Sequence, residues 1–441
     1  MRLCPVVIYA FIIVIGFLEG IIALGGDDRN EITVGAIFYE NEKEIELSFD
    51  QAFREVNNIK FSELRFVTIK RYMPTNDSFL LQQITCELIS DGVAAIFGPS
   101  SKAASDIVAQ IANATGIPHI EYDLKLEATR QEQLNHQMSV NVAPSLSVLS
   151  RAYFEIIKSN YEWRTFTLIY ETPEGLARLQ DLMNIQALNS DYVKLRNLAD
   201  YADDYRILWK ETDETFHEQR IILDCEPKTL KELLKVSIDF KLQGPFRNWF
   251  LTHLDTHNSG LRDIYNEDFK ANITSVRLKV VDANPFERKK TRLTKVDQIL
   301  GNQTMLPILI YDAVVLFASS ARNVIAAMQP FHPPNRHCGS PSPWMLGAFI
   351  VNEMKTISED DVEPHFKTEN MKLDENGQRI HFNLEIYKPT VNEPMMVWTP
   401  DNGIKKRRLN LELESARHHP GFLGAAQGVY SGLPTTRSPT S

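Results

Sequence analysis

The chain has 441 residues, with 47 Lys+Arg against 57 Asp+Glu and a net charge of −10. Clustered basic residues are needed to hold phosphates, so an acidic chain without a basic half excludes a general nucleic-acid binder. Four cysteines exclude a disulfide-dense scaffold, 43% hydrophobic residues imply a packed core, and the length predicts two or three domains.

The N-terminus carries Arg2, an apolar run from Val6 to Leu18 and small residues at Gly20, Ala23, Gly25 and Gly26. That is the layout of a secretory signal, predicted over residues 1–25 with cleavage near Ala23 to Gly26. The run stops at Glu19, short of the roughly 20 apolar residues a spanning helix needs. Leu309 to Ala326 is the best later candidate for a span, and Asp312 and Arg322 break it. A secreted or extracellular location is therefore expected.

Strand and helix patterns then alternate. Ile32 to Tyr39, Leu64 to Lys70, Val93 to Phe97 and Gly116 to Ile120 read as strands. Between them, Glu44 to Asn57, Phe79 to Ser90 and Ser101 to Thr115 carry helical stripes. A second series follows Pro144. Helices are predicted over 147–159, 174–185, 203–212 and 228–236, and strands over 165–170, 192–195, 220–224 and 248–252. Asn266 to Gly301 reads as polar and irregular. A long helix is expected over 307–329, a Pro-rich loop over 331–343 and a helix over 345–356. Arg379 to Tyr387 alternates strictly and reads as one strand, with Pro394 to Thr399 as its hairpin partner. Lys405-Lys-Arg-Arg408 opens a Gly-, Ser- and Pro-rich end that reads as disordered. Repeated β-α-β-α implies two α/β lobes, each a mostly parallel sheet flanked by helices.

In an oxidising compartment Cys86, Cys225 and Cys338 remain after removal of Cys4. Three pairings are open. Cys225 ends the strand-like run from Arg220, where a buried free thiol behaves as a small hydrophobe, and this favours Cys86 with Cys338. Sequons at Asn76, Asn113, Asn272 and Asn302 are candidate glycan sites.

No phosphate loop, H-E-x-x-H, G-x-S-x-G or dinucleotide fingerprint occurs, so no catalytic residue and no cofactor is predicted. His332 and His337 near Cys338 fall short of a zinc ligand set, and no metal is expected. The best binding element is Ile96-Phe-Gly-Pro-Ser-Ser-Lys102. Ser100 and Ser101 open a helix at the carboxyl end of a strand, where wound sheets hold ligands. Their simpler role is to cap that helix.

Taken together, these residues resemble the amino-terminal domain of ionotropic glutamate receptors, kainate type. The matching pieces are Gly35-Ala-Ile-Phe38, Phe49 with Ala52 and Val56, Cys86, Gly98-Pro-Ser-Ser101 and Gly116-Ile-Pro118. Trp163, Arg220 to Cys225, Tyr311-Asp-Ala313, Cys338, Pro343-Trp344, Gly347, Asn376-Gly377-x-Arg379, Phe382 to Ile386 and Trp398 follow in family order.

The resemblance implies a bilobed, periplasmic-binding-protein-like clamshell with a Cys86–Cys338 disulfide and a free Cys225. Lobe boundaries are drawn as 27–146 with about 257–345 for the first, 147–256 with about 346–403 for the second, and a basic, disordered tail over 404–441. It also implies pairing with other receptor subunits through the first lobe, with Leu80, Leu81, Ile84, Ile107, Val108 and Ile111 as dimer-face candidates. Contact with the membrane would come only through a full-length partner, at a synaptic surface. Amino-acid-binding relatives place small hydroxyl residues where this chain has Glu121-Tyr-Asp-Leu-Lys-Leu-Glu127. Those acids argue against an amino-acid ligand. No agonist-binding or pore segment occurs among these residues, so the chain is not expected to be a channel by itself. The alternative is a soluble clamshell that captures a small ligand between its lobes.

Overall fold

The computed structural model describes residues 30–59, 64–74, 77–126, 137–161, 163, 165–188, 193–216, 220–240, 244, 247–256, 271–281, 304–328, 334, 336–362, 364–388 and 394–406. The signal stretch, Asn76, Asn302 and the tail beyond residue 406 lie outside the described residues.

The chain runs through β1 (Asn30–Tyr39), α1 (Lys43–Asn57), β2 (Leu64–Met73), α2 (Ser78–Ser90), β3 (Ile96–Phe97), α3 (Lys102–Thr115), β4 (His119–Glu121) and β5 (Ser139–Pro144). It continues with α4 (Leu146–Glu155), β6 (Phe166–Tyr170), α5 (Pro173–Arg178), α6 (Gln180–Leu188), β7 (Val193–Asn197), α7 (Tyr205–Phe216), β8 (Arg220–Asp224), α8 (Pro227–Ser237), β9 (Asn248–Leu251) and β10 (Asn272–Leu278). Then come α9 (Met305–Ala327), α10 (Met345–Thr356), β11 (Lys372–Leu373), β12 (Gln378–His381), β13 (Leu384–Tyr387), β14 (Met396–Thr399) and β15 (Gly403–Lys406).

These strands form two sheets, ordered β11-β12-β5-β4-β3-β1-β2 and β15-β14-β13-β10-β9-β8-β6-β7. Strand pairs are parallel except β11–β12 in the first sheet and β10–β13, β13–β14 and β14–β15 in the second. The expected architecture, two mostly parallel sheets flanked by helices, is the one observed.

In the second sheet the apolar runs fill both faces. Ile222 and Phe250 join the main core, while their neighbours Ile221, Leu223, Trp249 and Leu251 join a separate cluster under α7 and α8. A strand covered on both faces needs apolar residues at every position, which explains why these runs are continuous rather than alternating.

The first sheet packs against α9. Seventeen of its residues are buried, including Leu309, Tyr311, Val315 and Phe317. Met305–Ala327 is long and apolar enough to cross a membrane, but 83% of its most apolar window is inside the fold. A helix that is apolar all round is the signature of a core helix as well as of a span. Phe317 meets Phe66 and Phe97, and Phe97 meets Phe49 and Phe53, with edge-on contacts dominating this cluster. At the end of α3, Gly116 has φ +76, and a Cβ there would lie 2.5 Å from the Trp344 backbone nitrogen. Only glycine allows both the left-handed cap and the close approach of the loop before α10.

Several boundaries differ from the sequence reading. β10 lies within the range assigned to the first lobe, yet it pairs with β9 and β13 in the second sheet. The region had also read as irregular, because Thr274 and Ser275 are polar though buried. α10 packs on α9, and β11 and β12 join the first sheet, although all three fall in the range assigned to the second lobe. The alternating run from Arg379 is two strands: β12 belongs to the first sheet and β13 to the second. β5 has no counterpart in the sequence reading, and the predicted helix over 174–185 is split into α5 and α6. β15 occupies the start of the range read as tail. Which sheet a strand joins depends on partners far away in the chain, and local periodicity carries no record of them.

Candidate functional site

The carboxyl ends of the parallel strands from the two sheets come near one another, close enough for Arg178 and Glu226 of the second to act on Asp123 of the first, and this region is called the cleft below. From the first lobe come Tyr39 at the end of β1, Glu42 just before α1, Ser100 and Ser101 after β3, and Tyr122 and Asp123 after β4. From the second come Arg178 on α5, Asp224 ending β8, Glu226 just before α8, and His253 after β9.

On the first-lobe side, the Ser100 hydroxyl donates to Glu42 Oε1, while Glu42 Oε2 accepts the Tyr39 backbone N–H at 2.9 Å. Ser101 makes no side-chain cap of α3; its hydroxyl meets Tyr39 instead. The two serines thus tie β1 and the start of α1 to the loop after β3, and the capping role expected of them is not the one observed. Glu121 is buried and held by Ser105 and Lys125, with His119 at 3.8 Å. Burial favours its neutral form, but Lys125 and His119 outweigh that and lower its pKa. Burial pushes Asp123 up to about 7, opposed by the Leu124 N–H and Arg178 and reinforced by Glu42 and Glu226. Burial also pushes the Tyr122 phenol far up, and Glu42 adds to this.

On the second-lobe side, Arg178 grips Asp224 with two bonds, Nε to Oδ2 at 3.0 Å and Nη2 to Oδ1 at 2.7 Å. The Thr252 hydroxyl donates to the same carboxylate at 2.6 Å. Both partners are buried, and Arg178 holds Asp224 below its usual range against the burial that opposes it. Gly175 makes room for this pair, since a Cβ there would fall 2.4 Å from Asp224 Oδ1. His253 Nε2 lies 3.6 Å from Glu226; burial disfavours its charge, but Glu226 prevails and raises its pKa. Glu171 accepts from the Glu226 N–H and the Thr229 hydroxyl and so closes the end of α8. Among the cleft residues the four acids (Glu42, Asp123, Asp224 and Glu226) outnumber the two bases, and Arg178 and His253 each lie beside a carboxylate of their own lobe. Among the described residues no group of His, Cys, Asp and Glu could hold a metal ion.

The outer face of the first lobe is different. α2 and α3 pack side by side, and Cys86 on α2 is bonded to Cys338, a separation of 252 residues with Cα atoms 5.4 Å apart. Cys225 is free and buried, and burial raises its pKa. Leu81, Ile84 and Val108 point inward and are part of the lobe's own core, so half of the proposed dimer-face set is unavailable. Leu80, Ile107 and Ile111 are half-buried at its margin. Phe79, beside Leu80 on the first turn of α2, is 78% exposed.

A family model described as the receptor family ligand binding region matches residues 44–392, well over half of the chain. The chain belongs to this family. Members are receptor ligand-binding domains rather than enzymes. Among curated relatives, glutamate receptor ionotropic, kainate 1 of Homo sapiens is 29% identical over 321 residues, covering 70% of this chain and 33% of the relative. The Mus musculus protein of that name is 28% identical over 344 residues, covering 74% of this chain and 39% of the relative. The chain spans about a third of the length of these relatives. Together these similarities support an ionotropic glutamate receptor amino-terminal domain, kainate type, as the sequence motifs implied.

For a receptor ligand-binding-region fold, the sequence pointed to two cleft elements, Ser100 with Ser101 and the acids of residues 121–127, and missed the rest. Tyr39, Asp224 and His253 each end or closely follow a parallel strand, and that position was the available signal. Arg178 carries no such signal, because only the tertiary fold sets it against Asp224. Of the described sequons, Asn113 is half-buried on α3, and Asn272 opens β10 with its amide donating to Asn248 at 3.1 Å.

Proposed function

We propose that this chain is an extracellular module that drives subunit pairing, the amino-terminal domain of a kainate-type glutamate receptor subunit acting in dimerisation and assembly through its first lobe. The observation that carries this reading is Phe79. At 78% exposed, Phe79 is the most exposed large hydrophobic side chain among the described residues, and it sits on a helix stapled by a disulfide. Leu80, Ile107 and Ile111 border it, and an aromatic anchor among smaller apolar neighbours is the composition of an interface hot spot. Partners would be other glutamate receptor subunits, with glycans on Asn76, Asn113, Asn272 or Asn302 at the extracellular, synaptic surface. Analytical ultracentrifugation tests the reading: the chain should associate reversibly with itself or with a kainate-type amino-terminal domain, and Phe79→Asp should abolish this while leaving the fold intact. A strict monomer that ignores such partners would sink it.

The acids of the cleft, with Arg178 already committed to Asp224, speak against capture of an amino acid. A thermal-shift screen with amino acids checks this. A ligand near 100 Kd would stabilise the fold by about 2.7 kcal/mol, a shift easily read.

A further inference from the structure

The long helix α9 is a helix of the first lobe, and α1 holds it there along its length. The Ser48 hydroxyl donates to the Pro307 carbonyl, the Tyr311 hydroxyl to Glu55, and Arg322 Nη2 to the Val56 carbonyl at 2.7 Å. The first turn of any helix carries N–H groups that have no intrahelical acceptor. Thr304 stands at the N-cap position of α9, yet its side chain makes no cap bond. The Met305 N–H donates instead to Asp255 Oδ1 at 2.7 Å, and both residues are buried.

Asp255 belongs to the other lobe. It follows the end of β9 in a turn that the second lobe holds at several points. The Thr252 N–H donates to the Leu223 carbonyl of β8 at 3.2 Å, and the Thr252 hydroxyl to Asp224 at 2.6 Å. The Thr252 carbonyl accepts the Tyr153 hydroxyl of α4 at 2.7 Å. His253 lies beside Glu226, just before α8. The Thr256 N–H and hydroxyl both close onto the His253 carbonyl, at 3.2 and 2.9 Å. These anchors lie on β8, on α4, before α8 and within the turn itself. Asp255 therefore moves with the second lobe and Met305 with the first, and the bond between them crosses from one lobe to the other.

Parting the lobes at this turn strands a buried N–H on one side and a buried carboxyl on the other, and an unpaired buried polar group is costly. Burial raises the Asp255 pKa, while His253 and the Met305 N–H oppose the rise. We propose that Asp255 is a cross-lobe cap, a positioning residue through which the second lobe holds the first turn of α9 and so fixes the separation of the two lobes. Opening the lobes and fraying the start of α9 are then one event. The link reaches the cleft through Thr252, whose hydroxyl sits on the Asp224 carboxylate that Arg178 grips. The inference rests on this contact and stands whatever the first lobe pairs with.

Hydrogen exchange of the full chain, resolved at the Met305 amide, reads the contact directly and needs no variant. In the parent this amide should exchange as slowly as the interior of α9. Fast exchange at Met305 beside a protected helix interior overturns the proposal. Spin labels at two exposed sites, Asn352→Cys on α10 and Lys231→Cys on α8, report the lobe separation by pulsed electron resonance. The parent should give one narrow distribution. Asp255→Ala removes the acceptor; the Met305 amide should exchange about tenfold faster, as loss of a cap predicts, and a second distance population should appear. Asp255→Asn keeps a side-chain oxygen for the N–H and should restore both readouts. Its behaving like Asp255→Ala would assign the effect to lost charge and overturn the cap. An unchanged distribution in folded Asp255→Ala also overturns the proposal. Trp209→Phe loosens the second lobe elsewhere, by losing the bond to the Leu233 carbonyl, and should leave the distribution narrow. Broadening equal to that of Asp255→Ala would mean general loosening, against the proposal.

Discussion

The first lobe packs Phe49, Phe53, Phe66, Phe97 and Phe317 around a buried 23-residue helix and closes its edge with the Cys86–Cys338 bond. The second lobe repeats the β-α-β series without either device. Its outer core is a smaller cluster built on Trp209 and Trp249, 5.3 Å apart, and its cysteine is free. What it has instead is a buried ion pair, Arg178 with Asp224, at the edge of the cleft. A lobe held by packing and a covalent tie suits a platform that meets a partner. A lobe whose strongest polar tie faces the cleft is sensitive to what happens between the lobes.

The largest effect should come from breaking that ion pair. Arg178→Met leaves Asp224 buried and unpaired, and is expected to cost about 3–5 kcal/mol. Hydrogen exchange should place the loss in β6, β8 and β9, with the first sheet little changed. Next comes the covalent tie. The double replacement Cys86→Ser and Cys338→Ser frees a very long loop, for an expected loss of about 2–4 kcal/mol. Calorimetry should show this loss as an earlier melt of the first lobe, with the second little changed.

The pH response should also divide the lobes. Burial raises the Asp312 pKa from 3.8 to about 6, opposed by Thr368 and Arg379. The folded state therefore holds a proton that the unfolded chain has released, so this contribution is full below pH 3.8 and lost as pH rises to about 6. Asp224 behaves in the opposite sense: its pKa is lowered, so its contribution is present above 3.8 and lost as pH falls through the lowered value. Asp312→Asn should flatten the fall in Tm across the upper window without touching the acid limb, and a pH series of melting curves would show it. The smallest effect on stability is expected at Phe79. Phe79→Asp should change the monomer by no more than about 0.5 kcal/mol, as an exposed substitution does, while self-association measured by sedimentation is lost.

The α1, α2 and α3 stripes were legible because helical periodicity records one buried face, and Ile45, Phe49 and Phe53 are buried as their spacing requires. The same stripes misled at the proposed dimer face. Leu81, Ile84 and Val108 form the apolar side of their helices, and that side is the one folding covers. Phe79 stands outside the stripe, so it carried no signal. β10 was hidden because its buried Thr274 and Ser275 look like loop residues.

The sequence by itself determined the fold class, the family and the fate of the cysteines. These rest on local periodicity, on motifs in a fixed order and on the apolar setting of Cys225. Tertiary structure alone decided which lobe owns β10, α10 and β12, and that Arg178 meets Asp224 and Arg379 meets Val142. Those are contacts between residues from 46 to 237 positions apart. Nothing in a local pattern encodes such a distance; it emerges only when both sheets have formed and the chain has crossed between them.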